Sequence, residues 1–243
     1  MDQMPSNDPV MESKPGIAGW FQVWMKAVTK PNEQTFIAIS EDPNASSKNA
    51  YIWIFVVGTL STILQTILQA IYSALGVAPA MPAIPGMEEF TTQSAGTGSP
   101  LISLAVGLCL SPLGGGLAVL FFALYTAIVQ WIAKLFGGSG TYDKLLYTFA
   151  AISVPVSLVT LVLTLFSAIP IVGVCIGIFS FGVSIYALVL QVMAVKGVNR
   201  FDWGKAVGSV LIPVFVLFLF FCCIAFVVSM AISAAFSGGQ FAP

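Results

Sequence analysis

The sequence predicts an all-α membrane protein: a bundle of five transmembrane helices preceded by an N-terminal amphipathic helix lying in the membrane interface. Three observations predict it. Charged residues make up 8% of the chain and apolar residues 58%, whereas soluble domains carry about 25% charge. Charges are absent from four long windows, Asn49 to Met87, Phe90 to Ala133, Leu145 to Val195, and everything after Lys205. Between Ile17 and Lys30, large apolar residues gather on one side of a helical wheel. A bilayer core about 30 Å thick needs roughly 20 apolar residues at a rise of about 1.5 Å each, so every window holds at least one span.

Residues 1–15 read as a disordered tail. Met1 to Pro9 carry two Asp, no cation and no apolar core, so no secretory signal peptide is expected and the first span itself serves as the insertion signal. Residues 16–49 form a cytoplasmic or interfacial segment. In it Ile17, Trp20, Phe21, Trp24, Met25 and Val28 share one helical side, and Gln22, Lys26, Thr29 and Lys30 the other. Such a helix either lies in the headgroup region or packs on the cytoplasmic side of the bundle. Pro31 ends it, Asn32 caps a second short helix through Phe36 and Ile39, and Glu41-Asp42-Pro43 leads toward the bilayer.

The membrane domain covers residues 50–236. Its first span, about 50–76, opens with Tyr51 and Trp53, aromatic residues suited to headgroup level. The second, 101–136, is too long for one straight crossing and too short for two. Pro112 with Gly114, Gly115 and Gly116 divides it after eleven residues, leaving Leu101 to Ser111 as a tilted extension or a re-entrant piece. The third window holds 51 residues and is split by Ile169-Pro170 into spans 145–169 and 171–195. The last span, 206–236, has Pro213 near its start, and residues 237–243 form a short tail.

Charge sets the orientation. Lys14, Lys26, Lys30 and Lys48 precede the first span, Lys134 and Lys144 flank the second link, and Lys196, Arg200 and Lys205 flank the fourth. The first link, Val77 to Pro100, has Glu88 and Glu89 but no cation, and neither the Pro170 turn nor the tail carries charge. Cations stay on the cytoplasmic side, which puts the N-terminus inside and the C-terminus outside; in a prokaryote the membrane is the plasma or inner membrane.

Little here suits catalysis. The chain has no histidine and no carboxylate inside a span, which removes the commonest general base, imidazole-based zinc and haem sites, and intramembrane protease chemistry. It also weakens a proton-coupled carrier. Cys109, Cys175, Cys222 and Cys223 all fall within spans, where they act as small apolar residues and offer no disulfide framework. No catalytic, cofactor-binding or metal-ligating residues are expected, no cofactor, and no nucleic-acid partner.

The polar residues that enter the bilayer are amides and hydroxyls. Ser61, Gln65, Gln69 and Tyr72 recur at helical spacing in the first span, with Gln130 and Gln191 on other spans. They form either interhelical hydrogen bonds or one wall of a polar pathway. Gly173 and Gly177, and Gly204 and Gly208, have the spacing of close helix contacts, within a tightly packed bundle or between copies of it. On the cytoplasmic face Trp20, Phe21 and Trp24, together with Lys196, Arg200, Phe201, Trp203 and Lys205, are candidates for contact with anionic headgroups or a partner, or for interfacial anchoring alone.

The order of Gly137-Gly138-Ser139-Gly140-Thr141-Tyr142, Thr148-Phe149-Ala150, Pro155, the Pro170 turn and Val195-Lys196-Gly197-Val198 before Lys205-Ala206 resembles the Yip (Ypt-interacting protein) domain family. So does the approach through Lys30-Pro31 to Phe36, a form similar to the shorter prokaryotic members. The resemblance covers roughly Lys30 to Phe236. It implies a non-enzymatic five-helix protein with a cytoplasmic N-terminus. Eukaryotic relatives bind prenylated Rab-type GTPases and each other, but their longer cytoplasmic N-terminal region, with its Tyr-Gly-Pro element, has no counterpart here, so GTPase binding is not carried over. The reading is a scaffold or membrane-organising, trafficking-type factor acting through helix and cytoplasmic-face contacts; the alternative is a small-solute channel or permease using the polar face of the first span.

Overall fold

The computed structural model describes residues 16–75, 100–166 and 170–237, and the regular elements among them are all helical. They are α1 (Ile17–Thr29), α2 (Glu33–Ser40), α3 (Ser47–Ala74), α4 (Pro100–Leu135), α5 (Tyr142–Thr164), α6 (Pro170–Asn199) and α7 (Trp203–Ser237). The five from α3 to α7 are long and apolar enough to cross a membrane, so the chain is an integral multi-pass membrane protein. The expectations for residues 1–15, for the link containing Glu88 and Glu89, for the tip of the Pro170 turn and for the tail beyond Ser237 lie outside the described residues.

Local chemistry sets the helix ends. Gly16, at φ 102°, turns the chain into α1. The Asn32 side chain accepts from the Gln34 N–H at the start of α2, and Ser46 accepts from the Asn49 N–H at the start of α3. Pro170 occupies the first position of α6, where a missing N–H loses nothing. α6 stops because Arg200 takes the left-handed φ of 54° and returns its N–H to the Lys196 carbonyl at 2.8 Å.

α4 answers the question left by its length. Leu101 to Ser111 continues the same helix, so it is an extension and not a re-entrant piece; the 36 residues of α4 span about 54 Å, more than a perpendicular crossing requires. Pro112 removes one backbone hydrogen bond without dividing the helix, as membrane helices tolerate when neighbours support them. The nearby glycines serve contact. A Cβ on Gly114 would lie 2.5 Å from the Thr62 Oγ1, one on Gly115 would lie 2.9 Å from the Phe55 carbonyl, and one on Gly58 of α3 would meet Ala118 at 2.8 Å. The close small-residue seam is therefore α3 on α4. The expected seams at Gly177 and Gly204 face open space, and Gly208 meets only the Phe136 ring and Ile212.

The densest packing surrounds the first half of α5. Its residues from Leu145 through Ile152 are all buried, enclosed by α1, α2, α3, α4 and α6. α1 docks there through Trp20, Val23, Trp24 and Ala27. Trp20 and Trp24 stand edge-on to Trp53, with centroids 5.7 and 5.4 Å away, and Trp53 lies 5.0 Å from Tyr147. The inward face of α1 is thus rotated from the one the wheel suggests, toward Val23 and Ala27, while Phe21 and Met25 remain exposed. Packing inward and an apolar outer strip coexist on the same helix.

Beyond this cluster α3 and α4 stay together along their small-residue seam as far as Gly107 and Thr66, while α6 and α7 turn mostly outward. Val214 to Phe220 of α7 are exposed on every face, as is most of α6 between Val174 and Tyr186. Lipid chains solvate such surface as well as a protein core does. Cys109, Cys175, Cys222 and Cys223 are exposed free thiols in these regions.

Candidate functional site

Alternating helix directions bring the starts of α3, α5 and α7 and the ends of α4 and α6 to one end of the bundle, beneath α1 and α2. Every charged side chain among the described residues lies there. Contacts across the chain fix that end: Ser47 donates to the Asp143 carboxylate, and the hydroxyls of Tyr51 and Tyr142 lie 3.1 Å apart.

At its centre is a buried amide pair. α4 closes in a Schellman turn: Gly137, at φ 88°, bonds back to the Lys134 carbonyl at 3.0 Å and Gly138 to Ala133 at 2.9 Å. The turn delivers Gly140 to the end of α6. There the Asn199 Oδ1 accepts from the Gly140 N–H at 3.2 Å and from the Gln130 Nε2 at 3.1 Å. Asn199 Nδ2 donates to the Gln130 Oε1 at 3.3 Å and to the Val195 carbonyl at 3.2 Å. Gln130 Nε2 also donates to the Gly140 carbonyl at 2.8 Å, and Ser139 donates its N–H and its hydroxyl to the Asn199 carbonyl. Asn199 is 1% exposed and Gln130 3%. Every amide atom of the pair has a partner, the condition under which a buried polar network rigidifies a structure. Gly138 and Gly140 are required by proximity, since a Cβ on either would come 2.6 or 2.8 Å from the Asn199 Oδ1.

Ion pairs clamp α2 onto this knot. Lys196 reaches Glu33 at 2.5 Å and lies 4.8 Å from the centre of the Trp203 ring, and Arg200 pairs with Glu41 at 2.8 Å. Gly197 lets α2 approach, because a Cβ there would stand 3.1 Å from the Glu33 carbonyl. A polar cleft of about 190 Å³ opens between the end of α2, the Ser139–Thr141 turn and the end of α6, with Lys144 and Arg200 as its cations.

The structure places the sequence-derived candidates in three groups. Gly137, Gly138 and Gly140 build the turn and the knot. Tyr142 bonds the Ala123 carbonyl beside Tyr51, Pro155 lies inside α5 and Pro170 opens α6. Of the interfacial candidates, Trp20 and Trp24 join the core and Phe201 packs against it; Lys196 and Arg200 are paired, Trp203 underlies Lys196, and Phe21 and Lys205 are exposed.

The intramembrane polar residues do not come together. Gln130 is in the knot, and Gln191 accepts the Tyr125 hydroxyl at 2.9 Å. Gln65 and Gln69 are exposed on the outer part of α3; Ser61 and Tyr72 are half-buried, and the Tyr72 hydroxyl has no partner among the described residues. Gly107 abuts Thr66, so Gln130, further along α4, lies roughly 35 Å from the level of Gln65 at 1.5 Å per residue.

Asn199, Glu33 and Glu41 were not singled out from sequence. Asn199 stands among cations and aromatics that read as an interfacial strip, and nothing local links it to glycines some sixty positions earlier. The available signal was the pair Gly138 and Gly140, whose missing side chains imply a close neighbour.

The family model described as the Yip1 domain matches residues 25–238. Comparison with curated proteins and with solved structures gives no match.

Proposed function

Because the chain belongs to the Yip1 domain family, we propose that this integral membrane protein works without catalysis, as a scaffold or membrane-organising, trafficking-type factor whose charged end makes its contacts. One observation carries the reading: all described charge, the amide knot and the α2 clamp gather on one face, while the rest of the bundle offers lipid-compatible apolar surface. A rigid face on a lipid-solvated sleeve suits binding more than turnover. The distribution of cations along the sequence favours a cytoplasmic position for that face, with the N-terminus inside and the C-terminus outside. Its partners are anionic headgroups, other membrane proteins or a second copy of the chain. The channel or permease reading is not adopted, since Gln130 and Gln191 are engaged far from Gln65 and Gln69.

Photo-crosslinking residues placed at Lys205 and at Phe218, with reporters fused to either terminus, test this in native membrane. Discrete protein adducts from Lys205 only, and a cytoplasmic N-terminal reporter, are expected. Adducts confined to Phe218, a cytoplasmic C-terminal reporter, or a solute flux in liposomes abolished by Gln65→Leu with Gln69→Leu would overturn it.

A further inference from the structure

The cleft at the charged end has the chemistry of an anion site, and we infer that it takes a phosphoryl group, supplied by the headgroup of an anionic lipid or by a soluble phosphate ester. This goes beyond the scaffold reading and does not depend on it. Lys144 stands on its rim with no ion-pair partner among the described residues. Arg200 spends one nitrogen on Glu41, and a guanidinium has further N–H groups to offer. The left-handed backbone at Arg200, held by its bond to Lys196, fixes where that side chain departs.

One free hydroxyl completes the lining, that of Thr141; Ser139 shapes the wall but spends both its N–H and its hydroxyl on the Asn199 carbonyl. Thr141 occupies the N-cap of α5 but makes no side-chain capping bond, so the first N–H groups of this 23-residue helix have no hydroxyl acceptor of their own. A helix start in that condition favours a negative group. Glu41 is the acid in the lining and is already paired with Arg200, while Asp143 accepts from Ser47 on α3. The lining therefore carries a net charge of +1, Lys144 and Arg200 against Glu41, with the Asp143 carboxylate directed to Ser47 outside it. About 190 Å³ holds a phosphate with the first atoms of its ester.

The test uses the full chain in phosphatidylcholine nanodiscs. Native mass spectrometry counts retained phosphatidic acid as its fraction is raised, and thermal shift follows titration with glycerol 3-phosphate or inorganic phosphate. Lys144→Gln should weaken binding roughly tenfold, the loss expected from one charge-assisted hydrogen bond. Thr141→Val should weaken it less, Lys144→Arg should restore it, and Lys134→Gln, an equal loss of charge at the same end, should leave it unchanged. Retention of the lipid alone assigns the headgroup, and retention of the soluble ester alone assigns the ester; either supports the site. No saturable binding of any probe, or equal weakening by Lys144→Gln and Lys134→Gln, overturns it. Should Lys144→Gln fail to fold, Thr141→Val against Lys134→Gln makes the same comparison.

Discussion

Helix α5 and helix α7 are built from similar material and end in opposite environments. The most apolar window of α7 has a mean hydropathy of 3.1 against 2.1 for α5, yet 12% of it is buried against 50%. In water that order would be perverse. In lipid it follows, because hydrocarbon chains are as good a solvent for Phe and Leu as another helix is. Burial in this protein joins large apolar side chains such as Leu145, Phe149 and Ile152 to residues that let backbones approach or that need a hydrogen bond. Ala150, Ala151 and Thr148 on α5, Gly114 and Gly115 on α4, and the Gln130–Asn199 pair all lie at contacts. Val214 to Phe220, which offer neither property, are exposed.

The difference between the charged end and the far half is open to direct attack. Asn199→Ala has the largest expected effect. It strands the Gln130 Oε1, the Gly140 N–H and the bonds that hold α4 to α6, for a loss of about 3 kcal/mol; reversible unfolding in bicelles reads it. The amide substitution Gln65→Leu in the far half should change the same curve by less than about 0.5 kcal/mol. If the two losses are similar, the knot is not what organises the bundle.

Gly140→Ala comes next. Its new methyl would fall 2.8 Å from the Asn199 Oδ1, the Val198 carbonyl and the Val198 Cγ1, which costs about 1–3 kcal/mol as overpacking. Gly177→Ala meets nothing within 4 Å and gains helix propensity, so it should be neutral or stabilise by up to about 1 kcal/mol. Thermal denaturation of the two variants side by side separates the ends; a destabilising Gly177→Ala would reveal a close contact at the far half.

The ion pairs are expected to matter least. Glu41→Gln removes an exposed pair and should lower stability by about 0.5 kcal/mol or less, an effect that fades in salt. Glu33→Gln, opposite the less exposed Lys196, should exceed it modestly. Protease nicking near α2, followed against salt concentration, ranks the two; equal sensitivity would mean that α2 is held by its apolar face alone.

Much of the fold was legible because charges cannot enter a bilayer cheaply, so gaps between them outline helices. The five crossing helices, the amphipathic α1 and its Pro31 boundary follow from that and from elementary capping. Less legible was how the helices meet. Gly114 and Gly115 read as a break beside Pro112 because a glycine that bends a helix and a glycine that admits a neighbour look alike in sequence; Thr59 and Thr62 across the seam decide which it is. The rotation of α1 toward Val23 and Ala27 was hidden for a related reason: with Trp53 available on α3, its two Trp rings pack edge-on against protein and leave Phe21 and Met25 outside. Of the candidate site, the glycines of the turn and the cations of the α6 end could be named from sequence, but the pairing of Gln130 with Asn199 required three dimensions.

The central claim is that the charged end holds the bundle together while the far halves of α6 and α7 are carried by lipid. Two truncations of the same side chain test it most directly, Phe149→Ala in the α5 cluster and Phe218→Ala on α7, compared by reversible unfolding in a bilayer. Phe149 is fully buried and Phe218 is 62% exposed, so the first should lose about 3 kcal/mol or more, in the range of buried aromatic deletions, and the second less than about 0.5 kcal/mol. Equal losses, or a larger loss from Phe218→Ala, would show that the far half is packed against a partner and contradict the account.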